Sequence, residues 1–503
     1  MTSPVSDPSA VALPARFLRA AAACIFAGLI VWAPLNFGST RAGGPETVAA
    51  GCLAGTVLWL LSLAFGAPRP RVPVVAVGAV LLLLLAMLPW LAGLAQPTPV
   101  APFTQNHFAR IEARWPFSIV WRTPGNVTAL TLGLAVAVIP LIDLARAPRR
   151  ALLFAVALVA TAVFVAILAL VQNYTHATGI YWREDGRMAG HFCGTFFHHT
   201  SAGAYFNTAW PLACALACLA WLRPAGAPFR GPLIAVAALA VVLLVAAHTS
   251  HVSRFPQLYA LLVLPVLLGG LAWRPARRWL WLAGAALFVG VLIILGGRTG
   301  DIAARWSLLA PSASATTASA VARPAPEADW PVLMRDDLFI PDVTEGGGVA
   351  FGTRGESWLT ALRAIAARPI TGHGPSDWMG AASRHSADPF VRTFFLFVQF
   401  THQDTLQFAV EWGVPAALAW WTVLIGAVVA GLRTRHAPGA ARPLGLAAAC
   451  ALAAVLLQSL ADFPLQIPAI AYNAVVLAAL AWSAFSGLGG NRAEDYRAED
   501  VIP

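Results

Sequence analysis

The sequence predicts an all-α polytopic membrane protein of about twelve transmembrane helices with one large extramembrane loop. Three observations carry this reading. Only 11% of its 503 residues are charged and 58% are hydrophobic, where soluble domains carry about 25% charged residues. Apolar runs of about twenty residues, the length needed to cross a bilayer, recur along most of the chain. Arginines cluster in alternate loops between those runs, as topology determinants do.

In chain order the runs lie at 18–37, 45–66, 73–95, 126–144, 151–171, 199–222, 231–248, 255–273, 279–297, 404–432, 443–461 and 467–486. The first begins near Arg16 and Arg19, is too long for a signal peptide and lacks a clear cleavage site, so it reads as a retained span. The arginine clusters are Arg69 and Arg71; Arg146, Arg149 and Arg150; Arg223 and Arg230; Arg274, Arg277 and Arg278; and Arg433, Arg435 and Arg442. All fall on one side if both termini are cytoplasmic. The opposite side then receives 38–44, 96–125, 172–198, 249–254, 298–403 and 462–466. The chain thus divides into nine helices over 1–297, a large loop over 298–403, three helices over 404–486 and a cytoplasmic tail over 487–503. Within the large loop 309–329 is of low complexity, and no repeat of fixed period stands out.

The net charge is +10, and all 33 basic residues are arginine. Because many sit in short loops where they set topology, the charge does not point to nucleic acid. Arginine is also the better bidentate partner for phosphate. Of the six cysteines, Cys24, Cys52, Cys214, Cys218 and Cys450 lie in apolar runs as small packing residues, and Cys193 stands alone on a loop. No CxxC pair indicates a disulfide framework or a zinc site.

Residues 349–421 organise the chain. Arg354 precedes an amphipathic helix in which Trp358, Leu362 and Ile365 recur at helical spacing and are expected to share one face. Arg368-Pro369 closes it, and Gly372-His373-Gly374-Pro375 forces a turn. His402 then stands at the mouth of the apolar run 404–432. A neutral imidazole near water can take a proton from a hydroxyl group, although a histidine at a helix end also serves as a cap or interface residue. Asp404 and Glu411 would share a helix face, and Glu411 would lie nearly opposite His402, so those two form no dyad.

Two arginines face the same side. Arg187 precedes Gly190 and Gly194, and then His198 and His199 at a helix entrance, where an anionic diphosphate could be held close to backbone. Arg254, after Ser253, lies in a turn barely long enough to leave the membrane, where a charge needs a partner or a wet cavity. Either arginine could instead snorkel to headgroups. The sequence has no Walker loop, no GxSxG elbow and no HExxH motif. Nor does it have an Asp-x-Asp pair, so arginine rather than a divalent ion would neutralise a phosphate leaving group.

Taken together these segments resemble the O-antigen ligase family, which includes O-antigen polymerases and bacterial protein O-oligosaccharyltransferases. The resemblance rests on Arg187 with the downstream GTF; on Ser253-Arg254; on Arg354 with Trp358, Pro369 and GHGPSDW; and on His402 with Leu406, Gln407, Glu411, Trp412 and Gly413. SLADFPLQIPA around Asp462 is a weaker fifth match. It implies a C-type glycosyltransferase-like fold in the bacterial inner membrane, with the large loop and active site facing the periplasm. The implied reaction moves a glycan from undecaprenyl diphosphate to a hydroxyl of lipid A core, of a growing glycan or of a protein, without metal or cofactor. Arg187 and Arg254 would hold the diphosphate and His402 would activate the acceptor. Arg354 would be a third cation or a loop anchor. The chain departs from the family pattern at Gln403, Asp404 and Thr405, and at His198, His199 and Thr200, where the family commonly has asparagine. The reading from another class is a lipid-linked-glycan transporter, which would place polar residues near mid-membrane on several helices. The spans are nearly free of charge at their centres, which favours an interfacial enzyme.

The missing Asp-x-Asp pair makes a direct prediction. Purified protein given an undecaprenyl-diphosphate glycan and its acceptor should stay active in excess EDTA. Activity lost to the chelator and restored by magnesium or manganese would overturn it.

Overall fold

The computed structural model describes residues 13–92, 123–183, 193–250, 253–271, 349–386, 400–436 and 441–486, which fold as helices joined by turns. The first group is α1 (Leu13–Leu35), α2 (Gly44–Ala64), α3 (Val74–Leu91), α4 (Pro124–Ala145) and α5 (Pro148–Tyr174). Next come α6 (His199–Asn207), α7 (Trp210–Leu222), α8 (Arg230–Ser250) and α9 (Arg254–Leu271). After them stand α10 (Val349–Ala367), α11 (Trp378–His385), α12 (Asp404–Trp412), α13 (Val414–Arg433), α14 (Ala441–Gln458) and α15 (Pro468–Ser486). Proline opens or follows the first residue of α2, α4, α5, α7 and α13, where its missing N–H costs nothing and its φ suits the first turn. Thr123 adds a side-chain cap to α4, accepting from Asn126 N at 3.2 Å.

Among the described residues ten helical segments are long and apolar enough to cross a membrane, α6 and α7 counting together, and Phe255–Leu271 is a shorter apolar helix. The chain is therefore an all-helical polytopic membrane protein. Eleven of the twelve expected runs correspond to these helices, and the run 279–297 lies outside the described residues. One boundary differs from expectation. The run 404–432 is not one span but two helices, α12 and α13, that meet at Gly413.

The most buried spans are α15 and α14, with α4 next, so the centre of the bundle lies there and α1 to α3 form an outer flank. Small residues allow the closest approaches. A Cβ on Gly431 would lie 2.5 Å from the Gly445 carbonyl oxygen, so α13 and α14 touch backbone to backbone. At one end of the bundle arginines tie loops as well as marking them. Arg19 and Trp59 share Asp143 Oδ2 at 2.7 and 2.8 Å, Arg146 donates to Arg71 O at 2.9 Å, and Arg442 donates to Gly270 O.

At the opposite end α10, α11 and α12 form a small second core of Ala361, Ala364, Trp378, Met379, Ala382 and Val410. Here a second expectation is corrected. The buried face of α10 is Ser357, Thr360, Ala361 and Ala364, while Trp358 and Ile365 are half-buried and Leu362 is 53% exposed. The bulky Trp378 and Met379 of α11 fill this core, so the facing side of α10 must be built from small residues. The helix turns its larger apolar residues aside.

These ends set a topological prediction. In a cysteine-free background, Glu356→Cys and Arg363→Cys, both exposed on α10, should label with an impermeant thiol reagent from one side of the membrane. Arg433→Cys, exposed at the far end of α13, should label only from the other. Labelling of all three from the same side would break this topology.

Candidate functional site

The site is built at the start of α12. Gln403 caps the helix, its Oε1 accepting from Leu406 N at 3.0 Å, and Thr401 Oγ1 accepts from Gln403 N at 3.1 Å. Between them His402 adopts φ +54°, a left-handed conformation uncommon for a residue with a side chain. The flanking cap and turn bonds hold it there. Residues in such conformations cluster at functional sites.

Asp404 then anchors α12 to the turn between α14 and α15. Its carboxylate accepts from Ser459 Oγ at 2.8 Å, Leu465 N at 2.9 Å and Gln466 Nε2 at 3.0 Å, while its own N–H donates to Ser459 O at 3.0 Å. Burial pushes the Asp404 carboxyl up, to about 7, even against those three donors. This clamp brings the 459–466 turn beside His402 and delivers Asp462.

Asp462 Oδ1 lies 3.8 Å from His402 Nδ1, with the aspartate 3% and the imidazole 33% exposed. Burial alone would push the Asp462 carboxyl up. The His402 imidazole at its edge, then the fields of His198 and Arg354, outweigh burial and hold it down at about 2. Gln458 Nε2 steadies the other oxygen at 3.3 Å and also donates to Thr200 O at 3.0 Å. Aromatic rings close the floor: Phe463 stacks on Phe400 at 4.1 Å and meets His402 edge-on at 5.1 Å. His198 lies 5.8 Å from the same Phe463 ring. Arg354 enters from α10, its guanidinium 5.5 Å over the ring of Phe255 in the first turn of α9.

His402 and Arg354 therefore come to one end of the molecule around Asp462. Arg254 begins α9, one residue before the Phe255 that carries Arg354, so its backbone adjoins the same place. Arg187 lies outside the described residues. Its loop resumes at Cys193, and Gly194, at φ +71°, packs so tightly that a Cβ would lie 2.9 Å from Val165 O. Glu411 stands at the far end of α12 and accepts from Gln407 Nε2 at 3.0 Å, away from His402 as its spacing predicts. Asp404 and Asp462 are the residues that sequence reasoning did not single out for this site. The available signals are the weak fifth family match around Asp462 and an acid in each of two short polar stretches flanked by apolar runs.

Residues 230–421 match the family model described as O-Antigen ligase. Over these residues the chain is similar to the O-antigen ligase family. The match supports an enzyme of the glycan-transferring ligase or polymerase type. The segment matched to the O-antigen ligase family contains Arg254, Arg354 and His402 and ends before Asp462. No curated protein matches the chain.

The Asp404 clamp can be tested apart from chemistry. Asp404→Ala removes the acceptor shared by Leu465 N, Gln466 Nε2 and Ser459 Oγ, the last of which also reaches Val455 O, at a cost of about 2–4 kcal/mol. Thermal unfolding of the detergent-solubilised protein should show a clearly lower Tm. An unchanged Tm would mean the 459–466 turn is held by other contacts.

Proposed function

We propose that this protein transfers a glycan from an undecaprenyl-diphosphate carrier to an acceptor hydroxyl at the periplasmic face of the bacterial inner membrane. The acceptor is lipid A core, a growing glycan or a protein. The observation that carries the reading is the half-exposed His402 imidazole beside the buried Asp462 carboxylate, with Arg354 at the same end.

The chemistry follows from donor and acceptor roles. A carboxylate is acceptor-only, so Asp462 selects the His402 tautomer with hydrogen on Nδ1 and leaves Nε2 as the base. The acceptor hydroxyl gives its proton to Nε2 as its oxygen bonds to the anomeric carbon. The bond from that carbon to the phosphate oxygen breaks, and the electron pair leaves with the diphosphate. Imidazolium then forms next to Asp462, and the 3.8 Å separation is of the kind that tightens in the loaded complex. Arg254, Arg354 and Arg187 are the cations proposed to neutralise the departing diphosphate, a task for which bidentate guanidinium groups suit a poorly hydrated site. The region 298–403 is proposed as the large periplasmic loop.

Single substitutions separate base from cations. His402→Ala should lower turnover by roughly 10²–10⁴-fold while leaving folding and donor binding near wild type. Arg187→Ala and Arg254→Ala should instead weaken donor binding, and lysine at either position should restore it only in part because the fork is lost. Arg354→Ala should lower donor affinity if the residue is the third cation, and Tm alone if it only anchors α10 on Phe255. A well-folded His402→Ala protein with full turnover would remove the base assignment.

A further inference from the structure

The mechanism above leaves the exposed imidazole of His198 unused. His198 stands at the N-cap of α6 in an extended conformation (φ −120°, ψ 130°) and caps no backbone group with its side chain. The side chain is exposed, lies against Phe463 on one side and stacks on His199 at 4.7 Å on the other. Its Nδ1 is 2.5 Å from Thr200 Oγ1. A chain of contacts links it to the base: Thr200 O receives Gln458 Nε2, the same amide reaches Asp462 Oδ2, and Asp462 Oδ1 faces His402 Nδ1.

The two ends of this chain suit opposite tautomers. Asp462 can only accept, so His402 carries its hydrogen on Nδ1 and has a bare Nε2. Thr200 Oγ1 can donate or accept, and when it donates to His198 Nδ1 the imidazole hydrogen sits on Nε2. The region is also poor in negative charge. The Arg354 guanidinium and the His198 and His402 imidazoles face the Asp462 carboxylate, and the N-terminus of α6 adds its positive end. An anion is the ligand that such a surface takes.

We propose that His198 is a diphosphate-contacting residue, its Nε2–H donating a hydrogen bond to the departing phosphate oxygen across Phe463 from the His402 base. This rests on the reading of the site as a lipid-diphosphate glycan transferase. The balance of the step is unchanged: the acceptor proton ends on His402, and the bond to the phosphate oxygen breaks with its electrons on that oxygen. A diphosphate is a weakly basic leaving group, so His198 keeps its proton and acts by stabilising charge.

The test uses full-length protein in nanodiscs with two readouts, binding of undecaprenyl diphosphate and turnover with the glycan-loaded donor. His198→Ala should lower turnover by about 10²–10³-fold, in the range seen when one donor to a developing anion is removed, and weaken diphosphate binding. His198→Gln, whose amide N–H can stand where Nε2–H does, should recover most of both. His402→Gln should recover nothing, because an amide is no base. Wild-type turnover and affinity in His198→Ala would overturn the assignment while leaving the His402 reading intact. So would a loss that follows a fall in Tm and is not restored by His198→Gln. Failure of the wild-type protein to bind undecaprenyl diphosphate would overturn the lipid-diphosphate reading and this assignment with it.

Discussion

The backbone contact between the Pro369–Gly374 turn and the end of α12 is the constraint on which the rest depends. His373 N donates to Val410 O at 2.8 Å, Gly374 N to Glu411 O at 3.0 Å, and Val414 N to Pro369 O at 2.8 Å. These bonds satisfy carbonyls that a helix end leaves without an intrahelical partner. The contact requires two glycines. Gly413 adopts φ +85°, and a Cβ there would collide with the Ile370 carbonyl oxygen; a Cβ on Gly372 would lie 2.5 Å from Glu411 O. No other residue type allows the two backbones to come so close at those dihedrals. Trp90 Nε1 adds a bond to Thr371 O at 2.8 Å, tying the turn to α3.

Held at its C-terminal end by that turn and at its N-terminal end by Asp404, α12 has little freedom left. His402 precedes the helix by two residues, so its position follows from the two clamps rather than from contacts of its own. The small second core of α10 to α12 is thereby fixed on the membrane bundle, and Arg354 on α10 is carried to the same end. His373 reinforces the joint: its Nε2 pairs with Ala364 O at 2.8 Å, and burial pushes the imidazole down to about 4. Because its folded-state pKa lies below the ordinary value near 6.5, the joint is fully stable above that value and weakens as pH falls toward 4.

The electrostatics of the site follow from burying the Asp462 carboxylate beside two imidazoles and the Arg354 guanidinium. Asp462 remains ionised because the groups around it compensate the burial, whereas Asp404, tied by three neutral donors, is raised. One acid orients and the other clamps. The rings of Phe463 and Phe400 shield the floor of the site from water, which strengthens each of these interactions.

The sequence by itself determined what depends on local pattern: the apolar runs that become spans, the side on which arginines collect, the turn at Gly372–Pro375 and the family segments. Hydrophobic length and loop charge are properties of neighbouring residues, so they survive without a fold. Tertiary structure alone decided the rest. The α12–α13 break could not be read from an apolar run, because Gly413 is required by Ile370 on another segment. The buried face of α10 was set by Trp378 and Met379 across the small core, not by its own periodicity. Asp404 meets Leu465 across 61 residues of chain, and that contact brings Asp462 to His402. Which acid orients an imidazole is decided by such long-range closure, and hydrophobic patterning carries no information about it.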